Sequence, residues 1–115
     1  MSTPLQTFAL TLNRPREDGA TVVAVSGELD LFTTPEFEEQ LLALTDDVPD
    51  ALVVDLTESA FVDSSAGRAL LHAAQRLRDR GARLVVVNQD PEVARVLEVM
   101  GLDEFLEVVP PGITS

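Results

Sequence analysis

Three times along this chain a short run of β-branched and apolar residues gives way to a segment in which apolar side chains recur every three or four positions. The runs are Ala-Thr-Val-Val-Ala-Val-Ser (20–26), Ala-Leu-Val-Val-Asp-Leu-Thr (51–57) and Ala-Arg-Leu-Val-Val-Val (82–87). Apolar on both sides over so few residues, they read as strands covered on both faces, and the segments after them read as amphipathic helices. A helix between two strands is the connection that parallel pairing requires. The repeat therefore dictates an α/β fold with a mostly parallel sheet.

The start of the chain breaks this rule. Residues 5–13 alternate, with Phe8, Leu10 and Leu12 on one side and Thr7, Ala9 and Thr11 on the other, which predicts a strand with one wet face near a sheet edge. The charged turn 14–19, with Pro15 and Gly19, is too short for a crossover, so strands 5–13 and 20–26 form an antiparallel hairpin. Helix one is expected to begin with Thr33 and Glu36 at capping-box spacing and Pro35 in the first turn. It runs to about Thr45, with Phe37, Leu41, Leu42 and Leu44 inward, and a polar loop (46–50) follows. Asp55 must lie at the end of its strand or find a donor. Helix two starts after Asp63-Ser64-Ser65 and reaches about Arg80, where Gly81 suits a left-handed cap. Its inner face holds Ala66, Leu70, Ala73, Ala74 and Leu77; Arg68, His72, Gln75, Arg76 and Asp79 lie outside. Asp90-Pro91 begins helix three, Val93, Val96, Leu97 and Met100 line it, Gly101 ends it, and 104–109 is a last strand. The expected architecture is one α/β domain over 1–115, a mixed sheet with three or more helices in the order β-β-α-β-α-β-α-β.

Composition narrows the function. The 115 residues suffice to bury a core without metals or disulfides, and there is no cysteine to serve as thiol nucleophile or zinc ligand. Twenty acidic residues against eight basic ones give a net charge of −12, which disfavours nucleic acid and anionic membrane as direct partners. No apolar run approaches the roughly 18 residues of a membrane span, and the first residues lack a basic-then-apolar pattern, so a soluble cytoplasmic protein is expected. Trp and Tyr are absent, which leaves base stacking poorly supplied. A nucleophile elbow needs small residues two positions either side of its serine. Ser65 has Asp63 and Gly67 there, Ser64 has Val62 and Ala66, and the lone histidine, His72, reads as a solvated surface side chain. Asp30, Asp55 and Asp63 invite comparison with magnesium-holding phosphoacceptor domains, but those need a fully parallel sheet and a lysine, and this chain has no lysine. No catalytic residue, cofactor or metal site is expected.

What remains is the junction Phe61-Val62-Asp63-Ser64-Ser65-Ala66-Gly67-Arg68. It delivers a carboxylate and two hydroxyls to a helix start, where backbone N–H groups lack partners and the dipole is positive. A cap needs one oxygen and three are supplied. The residues read as a helix cap or as a serine placed to carry a phosphate, which such a position stabilises. Gly27–Asp30 and Asp63–Ser65 both follow strands and precede helices, so they are expected at the same end of the sheet, where α/β folds place function.

Two of these segments together, Ser26-Gly27-Glu28-Leu29-Asp30 followed by Thr33, and Phe61-Val62-Asp63-Ser64-Ser65 before a helix, resemble the STAS domains of bacterial anti-sigma factor antagonists. The similarity extends over nearly the whole chain, including Val99-Met100-Gly101-Leu102. It implies a binding protein that captures an anti-sigma factor serine kinase and so frees a sigma factor. That kinase phosphorylates the serine after the aspartate, here Ser64, which blocks binding, and a phosphatase resets the switch. Asp63 and Ser65 would flank the phosphoacceptor and Asp30 would belong to the docking surface. The family continues the double serine with Gly-Leu-Gly, whereas Ala66-Gly67-Arg68 stands here. Ala66 is expected to add a side chain where the kinase approaches. Arg68 lies one turn from Ser64, to pair with a phosphate, touch a partner or remain solvated. The same resemblance admits a STAS subunit docked on a lipid-transport ABC-type ATPase; a small-ligand sensor is a further alternative.

Overall fold

In the computed structural model, which describes residues 8–12, 19–47, 50–61 and 64–112, strands and helices alternate after an opening strand pair. The strands are β1 (Phe8–Leu12), β2 (Ala20–Leu29), β3 (Ala51–Phe61), β4 (Arg83–Val87) and β5 (Glu107–Val109), and they lie side by side in chain order. β1 pairs antiparallel with β2, and every later pair is parallel. Helices α1 (Thr34–Thr45), α2 (Ser65–Asp79) and α3 (Pro91–Val99) fill the three crossovers. The expected order and the mixed sheet are both realised.

The period-two alternation of the strands sorts the core. Val23, Val25, Leu29, Leu52, Val54, Leu56, Leu84 and Val86 face one way and join Phe37 and Leu41 of α1, Leu70 and Leu77 of α2, and Val93 and Leu97 of α3 in one buried cluster. Ala20, Ala51, Val53, Val85 and Val87 form a smaller cluster on the opposite face. Asp55 pairs with Val87, the last residue of β4, and its Oδ1 accepts from the Thr57 amide at 3.0 Å. Of the two alternatives set by the sequence for that charge it is the donor that is realised, since Asp55 lies in the middle of β3 rather than at its end.

Helix ends follow their punctuation at three places, one of them Gly101, which takes φ 73 just past the end of α3. Asp90 caps α3 by accepting from the Glu92 amide at 2.9 Å, with Pro91 in the first turn. Gly81 takes φ 76 after α2, and the Ala82 amide returns to the Leu77 carbonyl at 2.8 Å.

Other boundaries depart from expectation. β3 does not stop at Thr57 but runs to Phe61, pairing Ser26, Gly27, Glu28 and Leu29 with Glu58, Ser59, Ala60 and Phe61 beyond the end of β4. A register shift between Ala24 and Ser26 and a φ of 90 at Gly27, which a side chain would strain, accompany this extension. The segment expected as a strand over 104–109 opens instead as a single 3-10 turn (Leu102–Glu104) before the short β5. The outer ends of the first strand (5–7 and 13), the turn 14–18 and Asp63 lie outside the described residues.

Candidate functional site

Parallel pairing of β2 with β3 sets Leu29 opposite Phe61, so the β2–α1 and β3–α2 junctions emerge at the same end of the sheet. The two helices then run side by side with their starts level. Thr34 Oγ1 and Ser65 Oγ lie 2.9 Å apart at the first turn, His72 Nδ1 and Glu38 Oε1 2.8 Å apart further along, and Arg80 donates to the Thr45 carbonyl at the far end. His72 is exposed, as expected, but it is a bridge between the helices rather than a free surface group. Because the helices are parallel, both positive dipole ends meet at this one surface.

The β2–α1 junction is tightly bonded. Asp30 Oδ1 accepts from the amides of Phe32 (2.9 Å) and Thr33 (3.0 Å), and the Asp30 carbonyl accepts from the Thr34 amide and hydroxyl. Thr33 Oγ1 donates to the Glu28 carbonyl at 3.0 Å and accepts from the Asp30 amide at 2.9 Å. The capping box expected of Thr33 and Glu36 is not formed, since that hydroxyl is engaged backwards with the strand end. Asp30 therefore acts on its own turn, an Asx-type closure. The turn holds Leu31 and Phe32 out into solvent, Phe32 at 90% exposure. Sequence reasoning passed over these two side chains: apolar residues in a connection carry no periodicity from which their exposure can be read.

At the β3–α2 junction Ser64 occupies the N-cap position with φ −79 and ψ −4, exposed, and its side chain makes no capping hydrogen bond. Ser65 is half-buried and turned to Thr34. Ala66 is fully buried in the core, so its methyl faces away from anything approaching Ser64, and the expected obstruction to a kinase does not arise. Gly67 is buried too; an added Cβ would lie 2.6 Å from Met100 Sδ, so Met100 occupies the room that the missing side chain leaves. Arg68 is exposed, one turn from Ser64, and with Leu31, Thr34, Pro35, Glu38, Ser65 and His72 it lines a cavity of about 280 Å³ between the two helix starts. Of the residues singled out in the sequence, the structure thus brings Asp30, Ser64, Ser65 and Arg68 to one surface.

A layered α/β body brings an exposed hydroxyl and an apolar knob together at one end of its sheet. The chain belongs to the STAS domain family, whose sequence profile matches residues 11–111. It is 30% identical over 86 residues to the anti-sigma-B factor antagonist of Listeria monocytogenes, covering 75% of each chain. It is 26% identical over 99 residues to the anti-sigma-B factor antagonist of Staphylococcus aureus, covering 86% of this chain and 92% of that one. Among solved structures it is similar to an anti-sigma factor antagonist from Mycobacterium paratuberculosis, with a TM-score of 0.79, 30% identity and coverage of 99% of this chain and 93% of the other. Among the described residues no helix is long and apolar enough to cross a membrane.

Proposed function

We propose that this chain is an anti-sigma factor antagonist whose docking on an anti-sigma factor serine kinase is switched off by phosphorylation of Ser64. The observation that carries the reading is the state of Ser64: an exposed residue at the N-cap position of α2, its hydroxyl not used as a cap, at the same end of the sheet as the exposed Leu31–Phe32 turn. The names of its relatives and the Asp-Ser-Ser motif support the same conclusion.

The switch needs no refolding. A partner seated on the Leu31–Phe32 turn buries an aromatic anchor, the kind of side chain that dominates interface energetics. The kinase transfers the γ-phosphoryl group of ATP to Ser64 Oγ; the hydroxyl proton leaves and ADP is released. The ester adds about −1.5 to −2 charge at neutral pH. At a helix start the host tolerates that charge, whereas the partner must desolvate it, at a cost of about ten- to a hundredfold in affinity. A phosphoserine phosphatase restores docking. Asp63 and Ser65 flank the acceptor, and Asp30 shapes the surface by holding the turn.

The test incubates the protein with purified candidate anti-sigma serine kinases and ATP and maps phosphate by mass spectrometry. Label on Ser64, lost in Ser64→Ala, and loss of partner binding in the labelled protein are expected. Stable partner binding with no label from any kinase would overturn the switch. A permanent docking role, as in a lipid-transport ATPase assembly, would then stand in its place, a role to which the exposed Arg68 on this face is also suited.

A further inference from the structure

We infer that Arg68 is a phosphate clamp: its guanidinium receives a phosphate ester on Ser64 across one helical turn, at the mouth of the cavity between α1 and α2. The inference rests on the reading of Ser64 as phosphoacceptor and names how that same site is regulated.

The Arg68 amide donates to the Ser64 carbonyl at 3.1 Å, so the two residues stand one turn apart, and both are exposed. Side chains of a helix lean toward its N-terminus, which sends the arginine stem back toward Ser64. The carboxylate across the cavity, Glu38, is engaged by His72 at 2.8 Å. The neighbouring arginines all have work elsewhere: Arg76 and Arg80 meet Asp46 at 3.5 and 3.4 Å, and Arg78 lies 5.5 Å from the centre of the Phe105 ring. Arg68 makes no ion pair among the described residues. A guanidinium held within reach of a phosphate ester forms charge-assisted, often bidentate hydrogen bonds with it.

The clamp sharpens the switch. Unmodified, the surface offers a partner an open cation in a chain of net charge −12. Modified, that cation is occupied and a dianion stands beside it, so a partner bearing an acidic group loses an attraction and meets a repulsion in one step.

The experiment encodes phosphoserine at position 64 during translation, which bypasses any kinase, and follows its second ionisation by phosphorus-31 NMR. Wild type, Arg68→Gln and Arg68→Lys are compared. The other ionisable side chains of this face, Asp30 on the turn, Glu38 on α1 and His72 on α2, are the same in all three. Free phosphoserine loses its second proton near pH 6, at about pKa 6. A facing cation favours the dianion, so the wild-type midpoint is expected below that value. It should rise by about half a unit or more in Arg68→Gln and fall back in Arg68→Lys. The unphosphorylated proteins should melt together, since the side chain is exposed. Equal midpoints in wild type and Arg68→Gln would overturn the clamp while leaving the kinase result, which tests Ser64 itself, untouched.

Discussion

The two strand-to-helix junctions at the functional end lie side by side and are built on opposite plans. At the first, Asp30 and Thr33 tie the end of β2 to the start of α1 through side-chain hydrogen bonds to the amides of Asp30, Phe32 and Thr33 and the Glu28 carbonyl. At the second, Ser64 occupies the cap position and leaves its hydroxyl out of any capping bond. Both residue pairs suit helix capping equally well on paper. One junction uses its oxygens to fix a shape, and the other leaves an exposed hydroxyl out of the cap. In the switch proposed above, the closed junction gives the open one its setting by holding the surface beside the phosphate fixed.

The comparison is broken most directly at Asp30. Asp30→Ala leaves the amides of Phe32 and Thr33 without their acceptor and removes the turn's closure, so a loss of about 1–3 kcal/mol in urea unfolding is expected. An unchanged midpoint would mean that the turn is held by something else and that the closed junction is closed in name only. A smaller effect is expected where the two junctions touch. Ser65→Ala removes the hydroxyl that meets Thr34 Oγ1 at 2.9 Å, while Thr34 keeps its bond to the Asp30 carbonyl. About 1 kcal/mol of stability should be lost, and Ser65→Thr should recover part of it. A neutral Ser65→Ala would show that the junctions are neighbours without being coupled.

Much of this could be read from residue order. The antiparallel opening, the parallel pairs after it, the inner face of α2 and the Asp90-Pro91 start all follow from periodicity and local punctuation, and each is present. The misreadings share a cause. Glu58 and Ser59 look like a loop, yet they are strand, because Ser26 and Gly27 of β2 pair with them beyond the end of β4. Thr33 and Glu36 match a capping box, but the strand end reaches the Thr33 hydroxyl first. For Ala66 the resemblance and the helical period point opposite ways, one to the approach of a kinase and the other to the inner face of α2, and its burial with Ala69, Leu70 and Ala73 bears out the period. For β3 and Thr33 a tertiary neighbour settles what a local motif leaves open. The site was legible as a set of oxygens at one end of the sheet; the Phe32 knob and the His72–Glu38 bridge were not, since both depend on which loop stands beside which helix.

The smallest expected effect is the most discriminating. If Ser64 served α2 as a conventional cap, Ser64→Ala would cost about 1 kcal/mol. With its hydroxyl unused, the substitution should stay within about 0.5 kcal/mol of wild type in urea unfolding, as surface changes do. Ser64→Asp should be neutral or gain a few tenths, since a carboxylate at a helix start interacts favourably with the dipole. The same variant should bind the anti-sigma partner more weakly, because charge that the host accepts is charge the visitor must desolvate. Stability and affinity would then move independently at one atom, which a capping serine cannot achieve. A drop near 1 kcal/mol in Ser64→Ala would assign the hydroxyl to the fold after all, and the contrast between the two junctions would vanish with it.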